Sequence, residues 1–147
     1  MAAPADTRKA PWHLWVVGVL YLLWSGVGAM DFTMTQTHNA TYAKGFTAAQ
    51  LNYFYSYPVW VVIAWAISTW GAIIGSICLL VRKRSAVPFF LAALVAMILT
   101  TVYNFGLSGG IKVMGGTGTL IFCVIIIVVG ALVWLYARGM RRKEVLR

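Results

Sequence analysis

The chain has 147 residues, of which 61% are hydrophobic and only 10% charged, where soluble domains carry roughly 25% charged residues. These proportions exclude a soluble globular domain. The formal charge of +9 raises the question of nucleic acid, but the cations flank apolar runs and are not interleaved with stacking aromatics, so no nucleic-acid partner is expected.

Four uncharged apolar runs cover residues 11–30, 59–81, 86–107 and 117–137. Each is about 20 residues or longer, which at about 1.5 Å per residue spans the roughly 30 Å hydrocarbon core. Unpaired backbone is not tolerated in lipid, so each run must be a helix. The expected fold is an all-α, four-helix transmembrane bundle forming a single membrane domain.

The first run follows the polar stretch MAAPADTRKA and lacks a small-residue cleavage motif, so it is expected to stay as a helix and not to act as a signal peptide. The connection at 32–57 is the one sizeable region outside the membrane. Within it, Thr47 and Gln50 have the spacing of a capping box, with Phe46 and Leu51 placed as a hydrophobic staple. A helix should therefore begin near Ala48 and end before Pro58, lying at the membrane interface. The short RKRSAVP connection forces the second and third spans into a hairpin. The glycine-rich GLSGGIKVMGGTGT reads as a flexible turn.

Ten of the 12 cations fall on one side of the spans: Arg8, Lys9, Arg82, Lys83, Arg84, and the five in the basic tail at 138–147. Lys44 and Lys112 fall on the other. The positive-inside rule then places both termini in the cytoplasm. The tail's charge density suits attraction to anionic lipid in the bilayer. Trp12, Trp15, Trp134 and Tyr136 on one side, and Tyr53, Tyr55, Tyr57 and Trp60 on the other, read as interfacial anchors.

Small residues recur at helical spacing. Ser68, Gly71, Ala72 and Gly75 lie on the second span, and Ala92, Ala96 and Thr100 on the third, followed by Asn104. Such stripes let helices approach closely, within one bundle or between subunits.

Chemistry is sparse. Cys78 and Cys123 lie at opposite depths and cannot pair. His13 and His38 are a membrane apart, and neither has the neighbours of a metal site. No catalytic residue, metal or cofactor is expected. Asp31, about 20 residues from Pro11, reaches the outer boundary of the first span, where Thr35 and Asn104 also arrive. This polar cluster, with Thr33, lies under the loop carrying His38, Asn39 and Tyr42. Asp31 is expected to pair with Lys44 or Lys112 or to cap loop amides, so that the set either pins the loop or binds a ligand.

The pattern MDFTMTQT.N..Y...FT..QL.YF...P.W resembles a group of small, uncharacterised four-helix proteins of proteobacterial inner membranes, some automatically labelled as sugar transporters. The resemblance covers somewhat under half the chain and implies a bacterial inner-membrane location. It supplies no mechanism. The residues then favour a non-enzymatic protein that forms a homo-oligomer or serves as an accessory subunit of a larger membrane complex. The alternative is a small-molecule permease or binding protein whose site is the outer polar cluster.

Overall fold

The computed structural model describes residues 9–147; Arg8 lies outside them. The described elements are all helical: α1 (Trp12–Gln36), α2 (Ala40–Ala43), α3 (Ala48–Tyr55), α4 (Val59–Leu80), α5 (Ala86–Val102) continuing into a π-helical turn (Tyr103–Leu107), and α6 (Thr117–Arg142). Four helices, α1, α4, α5 with its π turn, and α6, are long and apolar enough to cross a bilayer. One end of the bundle, the loop end, carries residues 37–58 and 108–116. The other, the tail end, carries 81–85 and 143–147.

Helix α1 runs past the apolar segment at 11–30. It has 25 residues, about 38 Å of helix. Its last turns contain the Thr-rich stretch that resembles a loop in composition. Those hydroxyls bond backwards along the helix: Thr33 donates to the Ala29 carbonyl at 2.8 Å and Thr35 to the Asp31 carbonyl at 2.7 Å. Asp31 therefore stands inside α1, more than a turn before its end.

Helix α4 packs on both α1 and α5, and α5 packs on α6. The seam between α4 and α5 is built from the small residues. A Cβ placed on Gly71 would lie 3.5 Å from the Ala93 Cβ and 3.8 Å from the Phe89 carbonyl, and one on Gly75 would press to 2.7 Å from the Phe90 ring. Ser68, Gly71, Ala72 and Gly75 are buried on α4, facing Ala96 and Thr100 on α5. Ala92 is exposed and takes no part in this seam, where Phe90, Ala93, Ala96, Thr100 and Asn104 form the buried line. Steps of strictly four residues drift around a helix by about 40° each, whereas mixed threes and fours follow its period.

The buried apolar core is at the tail end, where Leu14, Leu79, Val87, Phe90, Val133, Ala137 and Met140 form one cluster with Val145 and Leu146. The basic segment at 138–147 is thus not a free tail. Helix α6 carries it to Arg142, Glu144 turns the chain at φ 57°, and the last residues dock. The Arg84 amide donates to the Arg147 carbonyl at 2.8 Å, and the Arg147 amide to the Arg82 carbonyl at 2.6 Å. The Arg82 and Arg84 guanidinium groups donate to the carbonyls of Val145 and Leu146 at 3.0 and 3.2 Å. Two apolar residues set among cations supply the reason: they bury, and their carbonyls take guanidinium donors.

Candidate functional site: a roofed cavity at the loop end

Where the tail end is packed solid, the loop end is hollow. A cavity of about 590 Å³ lies between the four long helices, from Tyr21 and Gly130 near mid-bundle up to Asp31 and Asn104. Its floor is Tyr21, whose ring stands edge-on to Phe90 at 5.6 Å. Helices α1 and α6, which make little direct helix-to-helix contact at this level, are bridged by the rings of Trp24 and Phe122, 6.3 Å apart. Both rings line the cavity and both are also exposed on the outer surface of the bundle.

The roof is the connection between α1 and α4. The capping box forms as its sequence requires: Thr47 accepts from the Gln50 amide at 3.2 Å, and the Gln50 side chain accepts from the Thr47 amide at 3.1 Å. Phe46 packs on Tyr42 and Phe54. Pro58 caps the start of α4, so the chain breaks after α3 and folds Tyr42, Phe46, Gln50, Phe54 and Tyr57 across the cavity mouth. Phe54 and Tyr57 reach down to Trp65, at 6.3 and 6.0 Å between ring centres.

Three polar ties hold this roof. The Tyr42 hydroxyl donates to the Asp31 carboxylate, tying α2 to α1. The Tyr53 and Tyr57 hydroxyls donate to the Asn104 side-chain oxygen at 3.0 and 2.6 Å, tying α3 and its exit to the π turn. The Gln50 amide donates to the Val113 carbonyl at 3.2 Å, tying α3 to the glycine-rich connection. That connection closes tightly because Gly110 lacks a side chain: a Cβ there would fall 2.4 Å from the Asn104 carbonyl and 2.5 Å from the Tyr53 hydroxyl.

The polar residues singled out in the sequence divide accordingly. Asp31 and Asn104 both line the cavity but hold different parts of the roof. Asp31 bonds a phenol, in place of the lysine or loop amides expected of it. Thr35 is buried and bonds its own helix. His38, with φ 53°, stacks on Tyr55 at 3.9 Å outside the cavity. Asn39 caps α2 by accepting from the Tyr42 amide at 2.9 Å. Lys44 and Lys112 are exposed.

The inward hydroxyls of Tyr53 and Tyr57 are what sequence reasoning missed. In LNYFYSYP, Tyr53 and Tyr57 have the composition of an interfacial belt, yet their hydroxyls turn inward to one buried amide. The available signal was their four-residue spacing, which puts two phenols on one side of a helical turn.

Burial, followed by the hydrogen bond to Asp31 and that group's negative charge, pushes the Tyr42 phenol up to about 12. Because the folded value lies above the unfolded one, this contribution to stability is complete below about pH 10. It is lost as pH rises from there toward 12. An alkaline unfolding series in detergent should therefore fall more steeply over that window for the wild type than for Tyr42→Phe. Parallel curves would remove Tyr42 as a tie. No protein-family model, curated protein or solved structure matches the chain.

Proposed function

We propose that the chain is a non-enzymatic, multi-pass protein of a bacterial inner membrane that binds or passes a small, largely apolar molecule through the cavity at its loop end. The cavity carries this reading. About 590 Å³ falls within the roughly 300–1,000 Å³ of small-molecule sites, and cavities of roughly 150 Å³ already hold benzene. Its walls are mostly apolar, its far end is packed, and its mouth is covered by a hydrogen-bonded roof.

Charge and resemblance support the placement. With the tail end in the cytoplasm, Arg82, Lys83, Arg84 and the cations of α6 and the docked tail face anionic lipid headgroups. Helices α2 and α3 then lie at the opposite membrane surface. Of the small-residue stripes that suggested a homo-oligomer or an accessory subunit of a larger complex, Gly71 and Gly75 pack against α5 within the bundle, Ser68, Ala72 and Thr100 line the cavity, and Ala92 is exposed.

Native mass determination from mild detergent tests the proposal against Thr69→Trp, which places an indole in the cavity. The wild type is expected to carry a bound small molecule of defined mass that the variant lacks. Identical ligand-free spectra would contradict a binding role, and a stable second copy or second protein in both would favour the subunit reading.

A further inference from the structure

Resting on that reading of the cavity, we propose that its occupant is a monovalent organic cation: a quaternary or protonated amine carried on an apolar body. Among the described residues, Asp31 is the one charged side chain that lines the cavity. Its partner, the Tyr42 hydroxyl, contributes a hydrogen bond and no positive charge. The two cations of the loop end, Lys44 and Lys112, are exposed and lie outside the cavity lining.

The hydroxyls of the cavity's serines and threonines are matched within their own helices or loops, and, Asp31 aside, none of the remaining polar groups that line it, such as the Tyr21 hydroxyl and the Asn104 amide, carries a charge. Ser25, Ser68 and Thr100 donate to carbonyls of their own helices at 2.7, 2.8 and 2.9 Å, and the Asn104 oxygen takes two phenols. Asp31 thus supplies the one negative charge among mostly apolar walls, in a setting where an uncompensated carboxylate is costly. The rings of Trp24, Phe46, Tyr57, Trp65 and Phe122 line the same cavity. Aromatic faces attract cations, and most strongly where water is excluded. A neutral occupant would leave the charge of Asp31 unmatched, and an anion would be repelled by it.

The same ammonium chemistry occurs in free amines and in lipid headgroups. The test is a titration of the full chain in neutral detergent with benzyltrimethylammonium and with its uncharged isostere neopentylbenzene. Specific binding is taken as the saturable part that Thr69→Trp abolishes. The wild type is expected to bind the cation at least about tenfold more tightly than the isostere, and Asp31→Asn to bring the two close to equality. Should Asp31→Asn fail to fold, Tyr42→Phe keeps the carboxylate and frees it, so the preference should persist or widen. Equal binding of cation and isostere by the wild type, as a proton on Asp31 would produce, overturns the cation and leaves the cavity reading standing. Absence of saturable binding by either probe overturns both. Where the preference holds, displacement of the cation by short-chain phosphatidylcholine marks a lipid headgroup as the source, and lack of displacement marks a free amine.

Discussion

Replacing Asn104 with Leu is expected to lower the unfolding free energy by about 1–3 kcal/mol, because the Tyr57 hydroxyl loses its acceptor at a buried position, while the Tyr53 hydroxyl keeps Ser108 as a partner. Leu has the same number of side-chain heavy atoms and the same branching as Asn, and is the bulkier of the two, so the substitution removes the acceptor without opening a cavity. Asn104 is 6% exposed, and burial pushes the ionisation of Tyr57 upward, consistent with a hydroxyl that stays a donor. Thermal unfolding in mild detergent measures the total. A double-mutant cycle with Tyr57→Phe isolates the pair, with a coupling of about 1 kcal/mol expected for partners in one network. Additive effects would mean that the bond between Tyr57 and Asn104 contributes nothing to holding the roof.

Leu146→Ala is expected to cost about 2–4 kcal/mol, as for other leucines removed from packed cores. Leu146 is fully buried, and its neighbour Val145 is 5% exposed. A free basic tail would predict a change within about 0.5 kcal/mol, as for most surface substitutions. Thermal unfolding of Leu146→Ala beside Arg147→Ala separates the two cases, since the Arg147 side chain is exposed while its backbone bonds survive substitution. A leucine variant as stable as the arginine variant would rule out docking.

How much of this was legible in the sequence follows from which forces act locally. The four long helices were readable because a membrane span is set by length and apolarity, both of which are properties of a single segment. The start of α3 was readable for the same reason, since Thr47 and Gln50 cap it across one turn. The end of α1 was not. Composition made residues 32–36 look like a loop, whereas the Thr33 and Thr35 hydroxyls return to their own helix and let it continue. The cavity was less legible still: that Asp31 and Asn104 reach the loop end follows from counting residues, but that they hold separate parts of a roof depends on how the chain folds back after Pro58. Val145 and Leu146 were overlooked because the charges around them dominate any reading of the segment. Their burial depends on the connection at 82–84, some sixty residues away in the chain.

The most direct test of a hollow loop end uses Cys123, which lines the cavity and is 8% exposed. In a Cys78→Ser background, the rate at which a small neutral maleimide modifies Cys123 in detergent is measured with and without Thr69→Trp. Cys123 is expected to react in the parent and to be strongly slowed when the indole fills the space. A cysteine that resists modification in both proteins, or reacts at the same rate in both, would contradict a cavity open to small molecules.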